Sequence, residues 1–189
     1  MSVGELSSRH KALEVSIDIN HEKISRICLA ALFAALSCAA TMLIQIPMPA
    51  TGGYINLGDC MVLLGAFLLG PVYGMAAGGI GSMLADVLLG YASYAPCTLI
   101  VKGLMALAAS LVFVKLRSRG SWAILAAGIL GEIIMVFGYF GWESLIMGYG
   151  LSAAASIPGN SIQGLVGMVL AIVCYKLLSA VPSVKRLCY

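Results

Sequence analysis

The number of membrane crossings depends on one stretch, Asp59-Cys-Met-Val-Leu-Leu-Gly-Ala-Phe-Leu-Leu-Gly-Pro-Val-Tyr-Gly74. Its Gly70-Pro71 pair divides two strongly apolar runs. The run before the pair, 59–69, rises only about 17 Å as a helix, against roughly 30 Å for a bilayer core. A Gly-Pro pair here indicates either a tight turn between two helices or a kink inside one long helix. The turn predicts six membrane crossings, and the kink predicts five.

The rest of the chain has the composition of an integral membrane protein. Hydrophobic residues make up 61% of the 189 residues and charged residues 10%, which is typical of membrane spans and not of a soluble core. This length suffices for one compact helical bundle with short connections. The predicted apolar runs are Ile24–Ile46, Asp59–Leu69, Val72–Gly90, Cys97–Leu116, Trp122–Met147 and Ile157–Ala180.

The distribution of the 11 lysines and arginines favours six crossings. All except Lys102 lie before or at the start of the first run, from the end of the fourth run to the start of the fifth, or from the end of the last run onward, whereas connections 47–58, 91–96 and 148–156 contain none. The positive-inside rule then places both termini in the cytoplasm. We therefore predict an all-α, six-helix membrane domain over 24–180, with cytoplasmic tails at 1–23 and 181–189 and an outer lid loop at 47–58.

The same asymmetry predicts the cellular location. The net charge of +3 reflects cytoplasmic flanks beside anionic lipid, so we assign it to the bilayer and expect no nucleic-acid partner. The chain is predicted to be a multi-pass membrane protein, and the family resemblance described below implies the plasma membrane of a prokaryote.

Polar side chains inside the predicted spans indicate a site. Charged groups in a bilayer are costly and face the bundle interior or a wet cavity. Five helices each contribute to one shallow layer near their outer ends, whereas the inner halves are almost purely apolar. This predicts a pocket that is open to the outside and closed below. The residues of the layer are Asp59, Asp86, Lys102, Glu143, Asn160 and Gln163.

Two of the intramembrane charges, Lys102 and Asp59, have more than one interpretation. Lys102 is expected to contact a ligand, to pair with Asp86 or Glu143, or to extend its ammonium to the outer interface. Asp59 either contributes to the pocket or caps the second helix, where free N–H groups meet its carboxylate. Glu132, near the midplane, is expected to be hydrogen-bonded to a neighbouring helix.

Aromatic residues also collect at the outer ends. Tyr139, Trp142 and Glu143 are spaced i, i+3, i+4, so they are expected to share a helix face on which a planar ligand stacks. The other outer tyrosines, including Tyr54 and Tyr94, are interpreted as an interfacial belt.

Four segments resemble the substrate-binding S components of energy-coupling factor (ECF) vitamin transporters. The resemblance covers roughly 26–180, and its Gly-Ala-x-Leu-x-Gly-Pro segment is the most specific part. The segments are Tyr54-Ile-Asn-Leu-Gly-Asp59, Gly65-Ala-Phe-Leu-Leu-Gly-Pro71-Val-Tyr-Gly74, Gly81-Ser-Met-Leu-Ala-Asp86 and Tyr94-Ala-Pro-Cys-Thr-Leu-Ile-Val-Lys102-Gly.

The resemblance implies a transport role with partners. In that family the loop after helix 1 caps a vitamin pocket, and alanines four apart on helix 1 contact a membrane coupling subunit, the T component, itself bound to two cytoplasmic ATPases. Ala31 and Ala35 match the docking alanines. The segments look most like the hydroxymethylpyrimidine or pyridoxine branch, with riboflavin next and other vitamins open. With the stacking face included, the implied ligand residues are Asn56, Asp86, Lys102, Tyr139, Trp142, Glu143, Asn160 and Gln163.

Two other classes compete with this reading. A gradient-driven carrier typically shows inverted repeats and a midplane site, whereas this sequence has no convincing repeat and an off-centre polar layer. An intramembrane aspartyl protease would use Asp59 and Asp86, but its Gly-x-Gly-Asp signature fails at Asn56. No phosphate-binding loop for ATP occurs in the sequence, so ATP-driven uptake would need partner ATPases. We predict no enzymatic activity, no cofactor and no metal site.

Overall fold

A computed structural model describes the backbone of residues 3–182 and the side chains of residues 22–182. Within this part of the chain, five helices are long and apolar enough to cross a membrane. Shorter helical segments cover Arg117–Arg119, Trp142–Ile146 (a π-helix) and Gly150–Ser156. The long helices are α1 (Val3–Leu43), α2 (Gly58–Leu89), α3 (Ala95–Lys115), α4 (Ser121–Gly141) and α5 (Ile157–Ser179).

Helix α2 is interrupted at Gly70, whose backbone has φ 81° and ψ −177°. A Cβ on Gly78 would lie 2.9 Å from Val62 Cγ1, and one on Gly74 would lie 2.8 Å from Ala66 Cα. In a continuous helix the residues of the first pair would be about 24 Å apart along the axis. The arms 58–69 and 71–89 therefore lie side by side, and glycines on the second arm allow this close approach.

The connection between α1 and α2 contains a short β-hairpin. Strands β1 (Ile46–Met48) and β2 (Gly53–Ile55) pair antiparallel, with Pro47 opposite Tyr54. Gly52 in the turn has φ 70°, a left-handed conformation that glycine adopts without steric cost. The sequence predicts only an outer lid loop at 47–58, so the two strands are a finding of the structure.

The core lies between the first arm of α2 and helices α3, α4 and α5. Leu63, Phe67, Met105 and Met135 are fully buried there. A smaller cluster around Phe33 joins α1 to α2. Only 17% of the most apolar stretch of α1 is buried, against 67% in α2. Helix α1 is therefore peripheral, and α2 is the centre of the bundle.

Candidate functional site

A small polar cavity lies where the β-hairpin meets the bundle, here called the hairpin end. Gly159, near the start of α5, packs closely against Met48 and Ile55 of the hairpin. The cavity has a volume of about 20 Å³, room for about one water. A vitamin-sized ligand therefore needs the hairpin or the side chains around it to move. The lining residues are Met48, Gly53, Tyr54, Asn56, Asp86, Tyr94, Thr98, Tyr139, Glu143, Asn160 and Gln163.

Asp86, near the end of α2, is joined to the hairpin by Tyr54. The Tyr54 hydroxyl donates a hydrogen bond to Asp86 Oδ1 at 2.6 Å, and the Tyr54 ring lies 4.5 Å from that of Tyr91. Burial and the adjacent carboxylate both raise the pKa of Tyr54, so its phenol stays protonated and remains a donor. Asp86 Oδ2 is buried and makes no hydrogen bond within the described part of the chain.

Glu143, in the π-helical segment after α4, closes a second side of the cavity. Its Oε1 lies 3.0 Å from the Tyr94 hydroxyl, which also lies 2.8 Å from the Thr51 carbonyl oxygen. Its Oε2 lies 2.5 Å from the Ser156 hydroxyl, which lies 2.9 Å from the Ala153 carbonyl oxygen. Each hydroxyl has one proton for two acceptors, so this side of the site is short of hydrogen-bond donors.

A buried ion pair lies behind the cavity wall. The Lys102 ammonium pairs with Asp59 Oδ1, and the two side chains are only 2% and 0% exposed. Gln163 donates to Asp59 Oδ2 at 2.8 Å and accepts from the Asn56 backbone N–H at 2.7 Å. This network satisfies charges that would be costly to leave unpaired inside a membrane protein. It also ties α2, α3 and α5 to the segment that follows the hairpin.

Tyr139 forms part of the cavity wall. The Thr98 and Tyr139 hydroxyls lie 2.9 Å apart, and the Lys102 ammonium lies 5.5 Å from the centre of the Tyr139 ring. An ammonium over an aromatic face at this distance is favourable. Tyr139 therefore separates the buried cation from the cavity.

Six of the predicted ligand residues line this cavity: Asn56, Asp86, Tyr139, Glu143, Asn160 and Gln163. The other two do not. Lys102 lies behind the wall, and Trp142 packs against the hydrophobic core. Tyr139 and Glu143 therefore share the face that lines the cavity, and the predicted common face does not extend to Trp142.

Three expectations about the charged groups were wrong. Lys102 pairs with Asp59 instead of Asp86 or Glu143. The Asp59 carboxylate is engaged in this network, and the side chain that bonds the start of α2 is Asn56, whose Oδ1 accepts from the Gly58 N–H at 2.8 Å. Both carboxylate oxygens of Glu132 lack a hydrogen-bond partner among the described residues. A Cβ on Gly164 of α5 would lie 2.6 Å from Glu132 Oε2, so Glu132 packs closely against the α5 backbone at this glycine.

Sequence reasoning missed several lining residues, above all Tyr54, Tyr94 and Thr98. The two tyrosines were interpreted as an interfacial belt, and they instead donate hydrogen bonds to the site. The available signal was spacing: Thr98 precedes Lys102 by one helical turn, so the two share a face of α3. Within residues 22–182, no group of three or more His, Cys, Asp or Glu side chains is arranged to hold a metal ion.

Comparison with solved structures identifies the fold. The fold matches the S component of a bacterial ECF transporter with a TM-score of 0.61, at 19% identity, over 84% of this chain and 97% of that one. It matches the S component for biotin from an ECF-type ABC transporter with a TM-score of 0.58, also at 19% identity, over 83% and 94% of the two chains. The architecture is therefore that of an ECF S component.

The sequence places the chain within that class. Residues 21–180 match the model of the ECF-type riboflavin transporter S component family, and the chain belongs to this family. It is thus a transmembrane component of a vitamin-uptake transporter and not an enzyme.

Two relatives extend the comparison. The thiamine precursor transporter HmpT of Lactococcus lactis subsp. cremoris (strain MG1363) is 31% identical over 169 residues, covering 89% of this chain and 92% of the relative. An uncharacterised Pyrococcus woesei protein is 41% identical over 133 residues, covering 69% and 85%.

Proposed function

We propose that this protein is the substrate-capturing S subunit of an ECF-type importer for hydroxymethylpyrimidine or a pyridoxine-like precursor. The polar cavity under the β-hairpin is the observation that carries the proposal, because six predicted ligand residues from separate parts of the chain line it. The similarity to HmpT over 89% of the chain favours a thiamine precursor. Riboflavin is the second candidate, favoured by the family model that matches residues 21–180.

The proposed topology has six crossings with both termini in the cytoplasm of a prokaryotic cell. Asp59 at the start of α2 and Asp86 near its end both belong to the hairpin end, which fits two separate crossings joined at Gly70. The basic residues Lys115, Arg117 and Arg119 then lie on the cytoplasmic side. In this arrangement the hairpin faces outward and closes over captured solute.

The proposed coupling surface is a groove between α1 and the second arm of α2. It has a volume of about 770 Å³ and is lined on the α1 side by Ala31, Ala35 and Ala39. All three alanines are exposed. Small side chains let another helix approach closely, which supports docking of an ECF T component carrying two ATPases. ATP hydrolysis by those partners would drive release of the solute inside.

The first test is to purify the full chain in detergent, denature it and identify any released small molecule by mass spectrometry. A stoichiometric pyrimidine or pyridoxine is the expected result. Stoichiometric riboflavin would keep the S-subunit function and replace the substrate. An empty protein that no vitamin stabilises against heat would contradict the proposal and favour a gradient-driven carrier.

Uptake in cells separates the two transport classes. Cells that produce this chain alone should accumulate no labelled precursor, whereas cells that also produce a T component and its ATPases should accumulate it. Accumulation by the chain alone, abolished by a protonophore, would support the carrier instead.

A further inference from the structure

We propose that Asp86 determines specificity, and that the ligand is a small neutral or cationic ring presenting two adjacent N–H donors and bearing no phosphate or carboxylate. An aminopyrimidine protonated beside its amino group has this edge. The inference rests on the proposed function and narrows its substrate class to the chemistry that the cavity recognises.

The Asp86 carboxylate has acceptor sites that no described residue fills. A carboxylate accepts about four hydrogen bonds in total. Asp86 accepts one from Tyr54 and has the Thr98 hydroxyl as a second hydrogen-bonding neighbour, while its Oδ2 has no partner within hydrogen-bond distance among the described residues. Asp86 is only 3% exposed, so bulk water does not supply the missing donors. A ring with adjacent amino and N–H groups would place two parallel hydrogen bonds on this carboxylate, as a guanidinium does.

The Glu143 side of the cavity is short of hydrogen-bond donors. The Tyr94 proton is shared between Glu143 and the Thr51 carbonyl, and the Ser156 proton between Glu143 and the Ala153 carbonyl. Buried acceptors without donors are costly. A ligand gains affinity here by donating hydrogen bonds, for example from a hydroxymethyl group.

The charged residues that line the cavity are acidic. Asp86 and Glu143 both line the cavity, and none of the lining residues described is Lys or Arg. The nearby cation, Lys102, is paired with Asp59 behind the Tyr139 ring. A phosphate or carboxylate would meet like charge at short range in a poorly solvated space. The site therefore favours the free alcohol of a precursor over its phosphate ester.

The same carboxylate discriminates between ring edges. An imide edge, as in a flavin, flanks its N–H with two carbonyl oxygens, which would face the Asp86 oxygens. An amino group beside a ring N–H presents donors only. The Asp86 carboxylate therefore complements the donor-only edge of a protonated aminopyrimidine. The carbonyl oxygens of a riboflavin imide would instead face the Asp86 oxygens with no proton between them.

The experiment is a binding panel on the purified full chain in detergent, measured by calorimetry. The probes are 4-amino-5-hydroxymethyl-2-methylpyrimidine, the same ring without the amino group, its phosphate monoester, pyridoxine and riboflavin. We expect the aminopyrimidine to bind at least about 100-fold more tightly than the ring lacking the amino group, because unpaired buried acceptors reject such analogues strongly. The phosphate ester should bind at least as poorly.

Two variants locate this preference. Asp86→Asn should reduce the advantage of the aminopyrimidine over the analogue lacking the amino group by at least about tenfold, since the charge-assisted pair is lost. Ser161→Ala, the matched control, removes a polar side chain that does not line the cavity, so it should retain the preference. Thermal melting verifies that both variants are folded, and the wild-type panel decides the ligand class without them.

The outcomes separate the inference from the proposed function. Equal or tighter binding of the phosphate ester, pyridoxine or riboflavin would overturn the inference and leave an S subunit with another substrate. A full preference in folded Asp86→Asn would overturn the role of Asp86. Binding of none of the probes would overturn both the inference and the proposed substrate.

Discussion

The hairpin end and the groove between α1 and α2 are built on opposite principles. The hairpin end is buried and polar: Asp86, Lys102 and Glu143 are at most 3% exposed. The groove is exposed and apolar, with alanines in place of hydrogen-bonding groups. Ligand recognition needs fixed polar partners, whereas helix docking in a membrane needs small side chains and close backbone approach. We therefore expect ligand capture and coupling to partner subunits to depend on different residues, so that a substitution can disrupt either one alone.

The largest expected effect tests that separation at the groove. Ala31→Trp should reduce uptake to background in cells producing the coupling partners, because the indole would fill the surface on which a partner helix approaches. Ligand affinity of the purified variant should stay unchanged, since Ala31 lies outside the cavity. The measurements are uptake of labelled precursor and calorimetry on the same preparation.

The matched control is Leu32→Trp, which adds the same ring at the next residue of α1. Leu32 is 53% exposed and does not line the groove, so uptake should persist. Loss of uptake and binding together in Ala31→Trp would show a folding defect and contradict the docking role.

A second prediction concerns the charges behind the cavity. Lys102→Met leaves Asp59 charged and buried without its cation, which should lower the free energy of unfolding by about 3–5 kcal/mol. Removing both charges, with Asp59→Leu in addition, should restore most of that loss. Thermal melting in detergent measures both variants, with Lys115→Met at the exposed end of α3 as the control.

The double variant also decides whether Lys102 has a direct role in binding. A structural pair predicts that Lys102→Met with Asp59→Leu retains most of the affinity for ligand, because neither side chain lines the cavity. A stable double variant that no longer binds would show that Lys102 acts on the ligand.

The sequence predicts how deep these residues lie in the membrane, but it does not predict toward which neighbouring helix each side chain points. Counting residues from the helix ends placed Asp59, Asp86 and Lys102 in one layer, and the structure gathers all three at the hairpin end. Which of two acidic residues meets Lys102 depends on helix rotation and on the fold-back at Gly70. Neither is encoded in residue spacing, so the pairing with Asp59 was not predicted.

The β-hairpin and its tyrosines were harder to predict for a different reason. Strands of three residues are too short for an alternating pattern to identify, and Pro47 within β1 argues against a strand. Tyr54 and Tyr94 have the composition of an interfacial belt, and only their tertiary contacts with Asp86 and Glu143 make them part of the site. Ala31 and Ala35, by contrast, are one helical turn apart, and both line the groove; their docking role stays a prediction.

The smallest expected effect lies where the polar network reaches the hairpin. Gln163 accepts from the Asn56 N–H and donates to Asp59, so Gln163→Leu leaves one buried donor and one acceptor unpaired. This should cost about 1–3 kcal/mol of stability and speed ligand release, since Asn56 directly follows the hairpin. Stopped-flow fluorescence measures the release rate, and Ser161→Ala on the same helix is the control. Faster release with uptake reduced in proportion would connect the network to lid closure. Unchanged release in a destabilised variant would restrict Gln163 to holding the helices together.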